Sequence, residues 1–289
     1  MAIDLESLTD GVLHAIRKGE AASAPALSFL LQRYLATERA DVRDALEPAL
    51  AAALDQPFDA MSAADRAPYL TAFVDAAPLA DDDRPRAVVS SLVSSLRAAW
   101  TTTTRVDESA AIVEACLTAA AVLDPRTIVP DAVDELERVI GLVYQPGRGL
   151  ASDLRTPAGP PGGLNDHVQA ASALLTAYSA TARIPYAMLA EELMQFIRRS
   201  LWDDEEGVFA AIAGSHAHPF LGNCAAARVW CRLAALHAQD DYRAAAVTAP
   251  DAAYRAEAAR VLVARPVVLA ASGMAGAVYG LALLEWLAL

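Results

Sequence analysis

Cysteine, aromatic residues and positive charge are all scarce in this chain, and each shortage removes a class of protein. Three cysteines in 289 residues, namely Cys116, Cys224 and Cys231, are odd in number and sparse. They do not make a disulfide framework, and they suit a reducing compartment. Aromatic residues make up 6% of the chain, and no Lys/Arg cluster is interleaved with them, so no nucleic-acid partner is expected. Lysine and arginine total 23 against 36 acidic residues, a formal net charge of −13, which repels phosphate backbones and anionic lipid surfaces. The chain opens without a basic stretch leading into an apolar core. It therefore does not read as starting with a secretory signal, and a cytoplasmic location is expected. No run of alternating β-branched residues is long enough for a strand of ordinary length; residues 208–212 suit a short extended piece in a loop. No Gly-rich phosphate loop, nucleophile elbow, His-Glu-x-x-His or Cys-x-x-Cys occurs, and no cofactor is expected.

What the chain has instead is helix sequence. The hydrophobic fraction is 55%, much of it alanine, with leucine at helical spacing. Apolar periodicity and breakers predict about twelve helices. They fall at residues 5–18, 24–36, 39–55, 63–77, 84–99, 108–123, 130–144, 164–181, 185–201, 221–237, 251–264 and 267–287. Ser62 and Asp107 stand where an N-cap belongs. Asp124-Pro125 reads as a helix end, and Pro130 as the first turn of the next helix. The longest irregular stretch, residues 145–163, is rich in proline and glycine. The helical pattern is alike on both sides of it, so a single all-helical domain over residues 1–289 is expected. Twelve helices make six hairpins, which either stack as an open solenoid or close into a ring.

The run from Val267 to Leu284 carries no charged residue, and Gly276 and Gly280 form a small-xxx-small pair. By length it is a membrane-span candidate. It is diluted by Ala, Gly and Ser, has no cationic flank and ends before Glu285, which favours a core helix buried on all sides.

The stretch from Gly163 to Phe209 shows the hairpin pattern most fully. A polar mouth (Asn165, Asp166, His167) opens one helix. Leu174, Leu175, Tyr178 and Thr181 follow along it, and Tyr186, Ala190, Glu191, Leu193 and Phe196 mark the next. Trp202-Asp203 and Gly207-x-Phe209 close the unit, and Phe220, Asn223, Ala226, Arg228 and Asp241-Tyr242-Arg243 continue the pattern. This pattern resembles the (α/α)6-barrel proteins, in particular the C-terminal helical domains of thioredoxin-domain proteins and the N-acylglucosamine 2-epimerase group. The resemblance covers the C-terminal half; residues 1–145 share only the helical hairpins. It implies an (α/α)6 toroid of inner and outer helices with a central cleft that handles sugars. In the epimerases, histidines serve as acid and base.

Two readings attach to each candidate residue. Asp166 sits at a helix start as either a cap or a carboxylate orienting His167, which as an imidazole is a natural proton shuttle. His167 and Asp166 are the catalytic candidates. His216 and His218 are loop residues whose spacing also suits ligand contact; two histidines are too few for a metal, and none is assigned. Asn165, Asn223, Arg228 and Trp202 complete the ligand-binding candidates. Arg228, in mid-helix among apolar residues, needs a carboxylate partner or an anionic ligand. Cys224 and Cys231 share a face and suit buried packing. The expected function is a carbohydrate-binding or carbohydrate-processing protein, epimerase-, isomerase- or glycosidase-like, with a sugar-like small molecule as partner. The alternative is a non-enzymatic helical scaffold that binds a protein. A closed ring with polar residues at its centre favours the first; an open arc with a dry alanine-lined interior favours the second.

Overall fold

The computed structural model describes residues 4–80, 82–245, 248–264 and 273–289. Alanine and leucine at helical spacing produce helices almost throughout. The helices are α1 (Leu5–Arg17), α2 (Ala24–Thr37), α3 (Ala40–Leu54), α4 (Ala63–Ala76), α5 (Arg84–Ala99), α6 (Val106–Thr118) and α7 (Pro125–Val143) in the first half. The second half holds α8 (Leu164–Thr181), α9 (Ile184–Ser200), α10 (Phe220–His237), α11 (Asp240–Ala245), α12 (Tyr254–Ala264) and α13 (Ala275–Leu287).

The helices alternate between two concentric layers. The inner layer runs α2, α4, α6, α8, α10, α13, each packed on the next, and α13 packs back on α2, so the ring is closed. The outer layer places α3, α5, α7, α9 and α12 behind their inner partners, and α1 packs on α13. The sixth hairpin is thus built from the two ends of the chain. Because inner and outer helices alternate, all inner helices run the same way, and their N-termini share one end of the ring.

Ring closure explains the apolar sequence of α13. A Cβ on Gly280 would lie 2.4 Å from a ring carbon of the fully buried Phe29 on α2. The glycine lets α13 approach α2 closely, as small residues do at tight helix crossings. Residues 265–272, the start of the expected last helix, lie outside the described residues. Among the described residues no helix is long and apolar enough to cross a membrane.

Several helix ends follow local chemistry. Ser62 Oγ accepts from the Asp65 N–H at 3.1 Å, and Asp124 Oδ1 accepts from the Arg126 N–H at 3.0 Å. The second contact corrects one expectation: Asp124-Pro125 starts α7, and Pro130 lies inside it. Proline suits a first turn at either place, and the capping aspartate decides between them. Asp107 is also displaced, since Arg105 is the N-cap of α6 and Asp107 lies in its first turn, paired with Arg105 at 2.7 Å. Helix α6 ends at Thr118 and a 3-10 turn carries the chain to Ala121. The short helix α11 was not expected from the periodicity.

Two small hairpins sit between an outer helix and the next inner one. After α7, β1 (Tyr144–Gln145) pairs antiparallel with β2 (Gly149–Leu150); after α9, β3 (Trp202–Asp203) pairs with β4 (Val208–Phe209). The first lies in a stretch expected to be irregular, where Gly147 and Gly149 adopt φ of 74° and make the turn. The second holds the extended piece expected near Val208.

Candidate functional site

The closed ring encloses an axial cavity of about 260 Å³, lined from all six inner helices. A volume just below the usual range for ligand pockets suits a small molecule. Its lining follows the helical repeat. Counted from each inner helix start, the ninth residues of α2, α4, α6, α8 and α10 are Gln32, Thr71, Glu114, Ser172 and Arg228, and all five face the axis. One turn further along, Asp75, Thr118 and Arg232 line it as well. Towards the helix N-termini the wall is mostly small, with Ala24, Pro25, Ala67, Ala111 and Ala225 beside the polar Ser28 and Gln169. The cavity therefore has a polar belt beneath an alanine collar.

Charge in the belt is mostly paired. Arg232 lies 3.3 Å from Glu114 Oε1 and donates to Ser172 Oγ at 3.0 Å and Thr176 Oγ1 at 2.9 Å. Ser172 and Thr176 in turn donate to the same Glu114 oxygen at 2.6 and 2.9 Å. Arg228 Nε donates to Glu285 Oε1 of α13 at 2.7 Å. Its side chain is 41% exposed and faces the cavity. Asp75 is different. Its hydrogen-bond donor is Ser28 Oγ, at 3.3 Å. Burial pushes its carboxyl above the usual carboxylate range, partly offset by Ser28 and by the Arg228 charge.

Of the residues expected from the sequence to form the site, Arg228 lines this cavity. The others stand elsewhere. His167 is fully buried. Its Nε2 accepts from the Leu150 N–H at 3.0 Å, and its Nδ1 lies 2.8 Å from the Gly163 carbonyl, so Nδ1 carries the proton. Its ring stacks on Phe196, and burial lowers its pKa to about 4. Asn223 makes the same two contacts one repeat later. Its Oδ1 accepts from the Phe209 N–H at 2.8 Å, and its Nδ2 donates to the Pro219 carbonyl at 2.9 Å. Both are the fourth residue of their helix, and each ties the end of a β-hairpin to the residue capping its helix. A titratable imidazole and a non-titratable amide thus fill one scaffold position.

Asp166 Oδ2 accepts from the Gly163 N–H at 2.8 Å, the reciprocal half of a helix cap. Burial raises its carboxyl to about 6. Asn165 is exposed at the start of α8, facing the first turn of α10 at Gly222. His218 Nε2 lies 3.0 Å from Asp203 Oδ2, while His216 is exposed. Among the described residues no group of three or more His, Cys, Asp or Glu side chains is placed to hold a metal ion. Trp202 packs against Phe209 and Trp230, with the Arg198 and Arg260 guanidinium carbons 4.5 and 5.0 Å from its ring. All three cysteines are buried and their thiols pushed up to about 12, which leaves them inert as nucleophiles. The belt residues Asp75, Glu114, Ser172 and Arg232 escaped the sequence reading. Their signal is weak: single polar residues at four-residue spacing on alanine-rich helix faces.

Solved structures share this arrangement. An unsaturated glucuronyl hydrolase from Bacillus sp. GL1 superposes with a TM-score of 0.69 at 9% identity, covering 89% of this chain and 82% of that one. The chain has the (α/α)6-toroid fold. A sugar epimerase from a ruminal bacterium matches this toroid with a TM-score of 0.64 at 10% identity, over 82% of this chain and 72% of that chain. An inactive double aspartate-to-asparagine variant of an α-1,6-mannanase from Salegentibacter sp. HEL1_6, bound to α-1,6-mannotriose, matches with a TM-score of 0.58 at 14% identity. The match covers 72% of this toroid, which spans 62% of the mannanase. No family model and no curated protein matches the sequence. The toroid thus shares its fold with carbohydrate-active enzymes, at identities that carry the fold alone.

Proposed function

We propose that the toroid binds a small carbohydrate in its axial cavity. The observation that carries this reading is the polar belt. Guanidinium donors, carboxylate acceptors and hydroxyls that do both alternate around one small enclosed space. A polyol needs that pattern, because each of its hydroxyls both donates and accepts. The closed ring also favours a ligand over a protein partner, since its inner surface is spent on the cavity and on helix packing.

Asp75 lines the cavity at the level of Thr118 and Arg232 and accepts from Ser28 Oγ, which presents a carboxylate to the ligand. Glu114, fixed by Arg232, Ser172 and Thr176, supplies a second oriented carboxylate on the belt. Carboxylates are preferred to the histidines implied by the epimerase resemblance, because among the described residues no imidazole lines the cavity. His167 and Asp166 receive a structural role in this reading.

The test is a thermal-shift and calorimetric screen of neutral, acidic and amino monosaccharides and short oligosaccharides. Binding is expected, and Arg228→Gln is expected to weaken it about tenfold or more, the loss of one charged hydrogen-bonding group. A screen in which no sugar binds would move the assignment to the protein-binding scaffold.

A further inference from the structure

We propose that the axial cavity prefers sugars bearing a free amine, with the ammonium seated on Asp75. The inference rests on the carbohydrate reading above and adds the chemical class. It follows from the charge ledger of the belt. Each guanidinium on the wall already has its own carboxylate: Arg232 has Glu114, and Arg228 has Glu285. Asp75 is left over among the described residues, with the Ser28 hydroxyl as its donor. With these five groups ionised, the site carries one net negative charge.

The surroundings make that charge count. Asp75 projects from α4 into the cavity at the level of Thr118 and Arg232, and its side chain is exposed, so a cation entering the cavity reaches it directly. A neutral sugar can hydrogen-bond to Asp75 but leaves its charge uncompensated. A carboxylate sugar adds a second negative charge to a site whose arginines are already committed. A protonated amino sugar compensates the charge and keeps the hydroxyls that the rest of the belt recognises.

The experiment is isothermal calorimetry on the full chain near neutral pH, with three matched sets of probes. D-glucosamine, D-galactosamine and D-mannosamine are compared with the neutral hexose and the hexuronate of the same configuration. At least one hexosamine is expected to bind about tenfold or more tighter than its hexose, with the hexuronate weakest. Asp75→Asn is expected to collapse that ratio towards one, and Asp75→Glu to retain it; thermal unfolding checks that both variants fold. Equal affinity for amine and hexose in the wild type, or an undiminished preference in Asp75→Asn, overturns the inference and leaves the carbohydrate reading standing. Binding of 2-aminoethanol as tightly as a hexosamine retains the ammonium seat but sinks the carbohydrate reading. A panel in which nothing binds removes both.

Discussion

Asp166 and His167 adjoin in sequence and are expected to give folding stability opposite pH slopes that cancel. His167 has its pKa lowered to about 4 from 6.5, first by burial. Between those values the unfolded chain holds a proton that the folded chain does not, so stability falls as the pH falls. Its contribution is complete above about 6.5 and gone near 4. Asp166 has its pKa raised to about 6 from 3.8, again first by burial. In its window the folded chain holds the extra proton, so a penalty present above about 6 is relieved as the pH falls towards 3.8. Each displacement corresponds to roughly 3 kcal/mol. From about pH 6 to about pH 4 the two terms oppose each other almost completely.

The neighbouring repeat supplies the variant that separates them. Asn223 makes the contacts of His167 without titrating, so His167→Asn removes the proton and keeps an acceptor for Leu150 and a donor for Gly163. Relative to wild type, His167→Asn is expected to gain about 3 kcal/mol between about pH 7 and about pH 4. Asp166→Asn is expected to lose about as much over the same range. Urea denaturation of the three proteins across that range measures both, and differences between proteins cancel every other titrating group. Parallel stability curves would refute the reasoning, because they would mean that neither group changes protonation on folding. A fall in His167→Asn stability that is large and independent of pH would instead show that the amide does not reproduce the hairpin clamp.

Glu191 is fully buried and bonded to His237, Tyr254 and Thr248, at 2.7, 2.9 and 2.6 Å. Glu191→Ala is expected to cost about 3–5 kcal/mol by leaving those partners without their acceptor; a loss below about 1 kcal/mol in urea would show that the network is dispensable. Ala182 ends α8 in the left-handed region, with φ of 56°. Ala182→Gly is expected to stabilise by about 0.5–1 kcal/mol, and an unchanged or lower melting temperature would count against strain at that turn.

Helix positions were legible because their ends carry local chemistry. Ser62 caps with its own side chain, and alanine-rich faces leave few alternatives to helix; the cap at Asp124 was misread because Pro125 and Pro130 both suit a first turn. Ring closure was legible through the resemblance of the C-terminal half and not from the last helix itself, because a helix buried on all sides and a helix bathed in lipid share one pattern; the contact of α13 with α2 shows the closure. The site was hidden for a related reason. Arg232 and Glu114 are 118 residues apart, and Arg228 and Glu285 are 57 apart. Neither pair leaves a local signature. Asn165, Asp166 and His167 did stand out, because a helix start needs polar side chains whether or not any chemistry follows.

The six-fold repeat offers a way to tell scaffold from site that no single residue gives. Positions where successive repeats make the same contacts serve the frame. His167 and Asn223 differ in chemistry yet hold the same carbonyl and the same hairpin N–H, so the frame accounts for both. The ninth position of the inner helices behaves the other way. Glutamine, threonine, glutamate, serine and arginine stand there in turn, all aimed at one axis. No packing rule of the ring demands five different polar groups at equivalent places, and apolar side chains would pack the centre at lower cost. A belt of unlike donors and acceptors at a like position is what an asymmetric polar ligand requires of a near-symmetric frame.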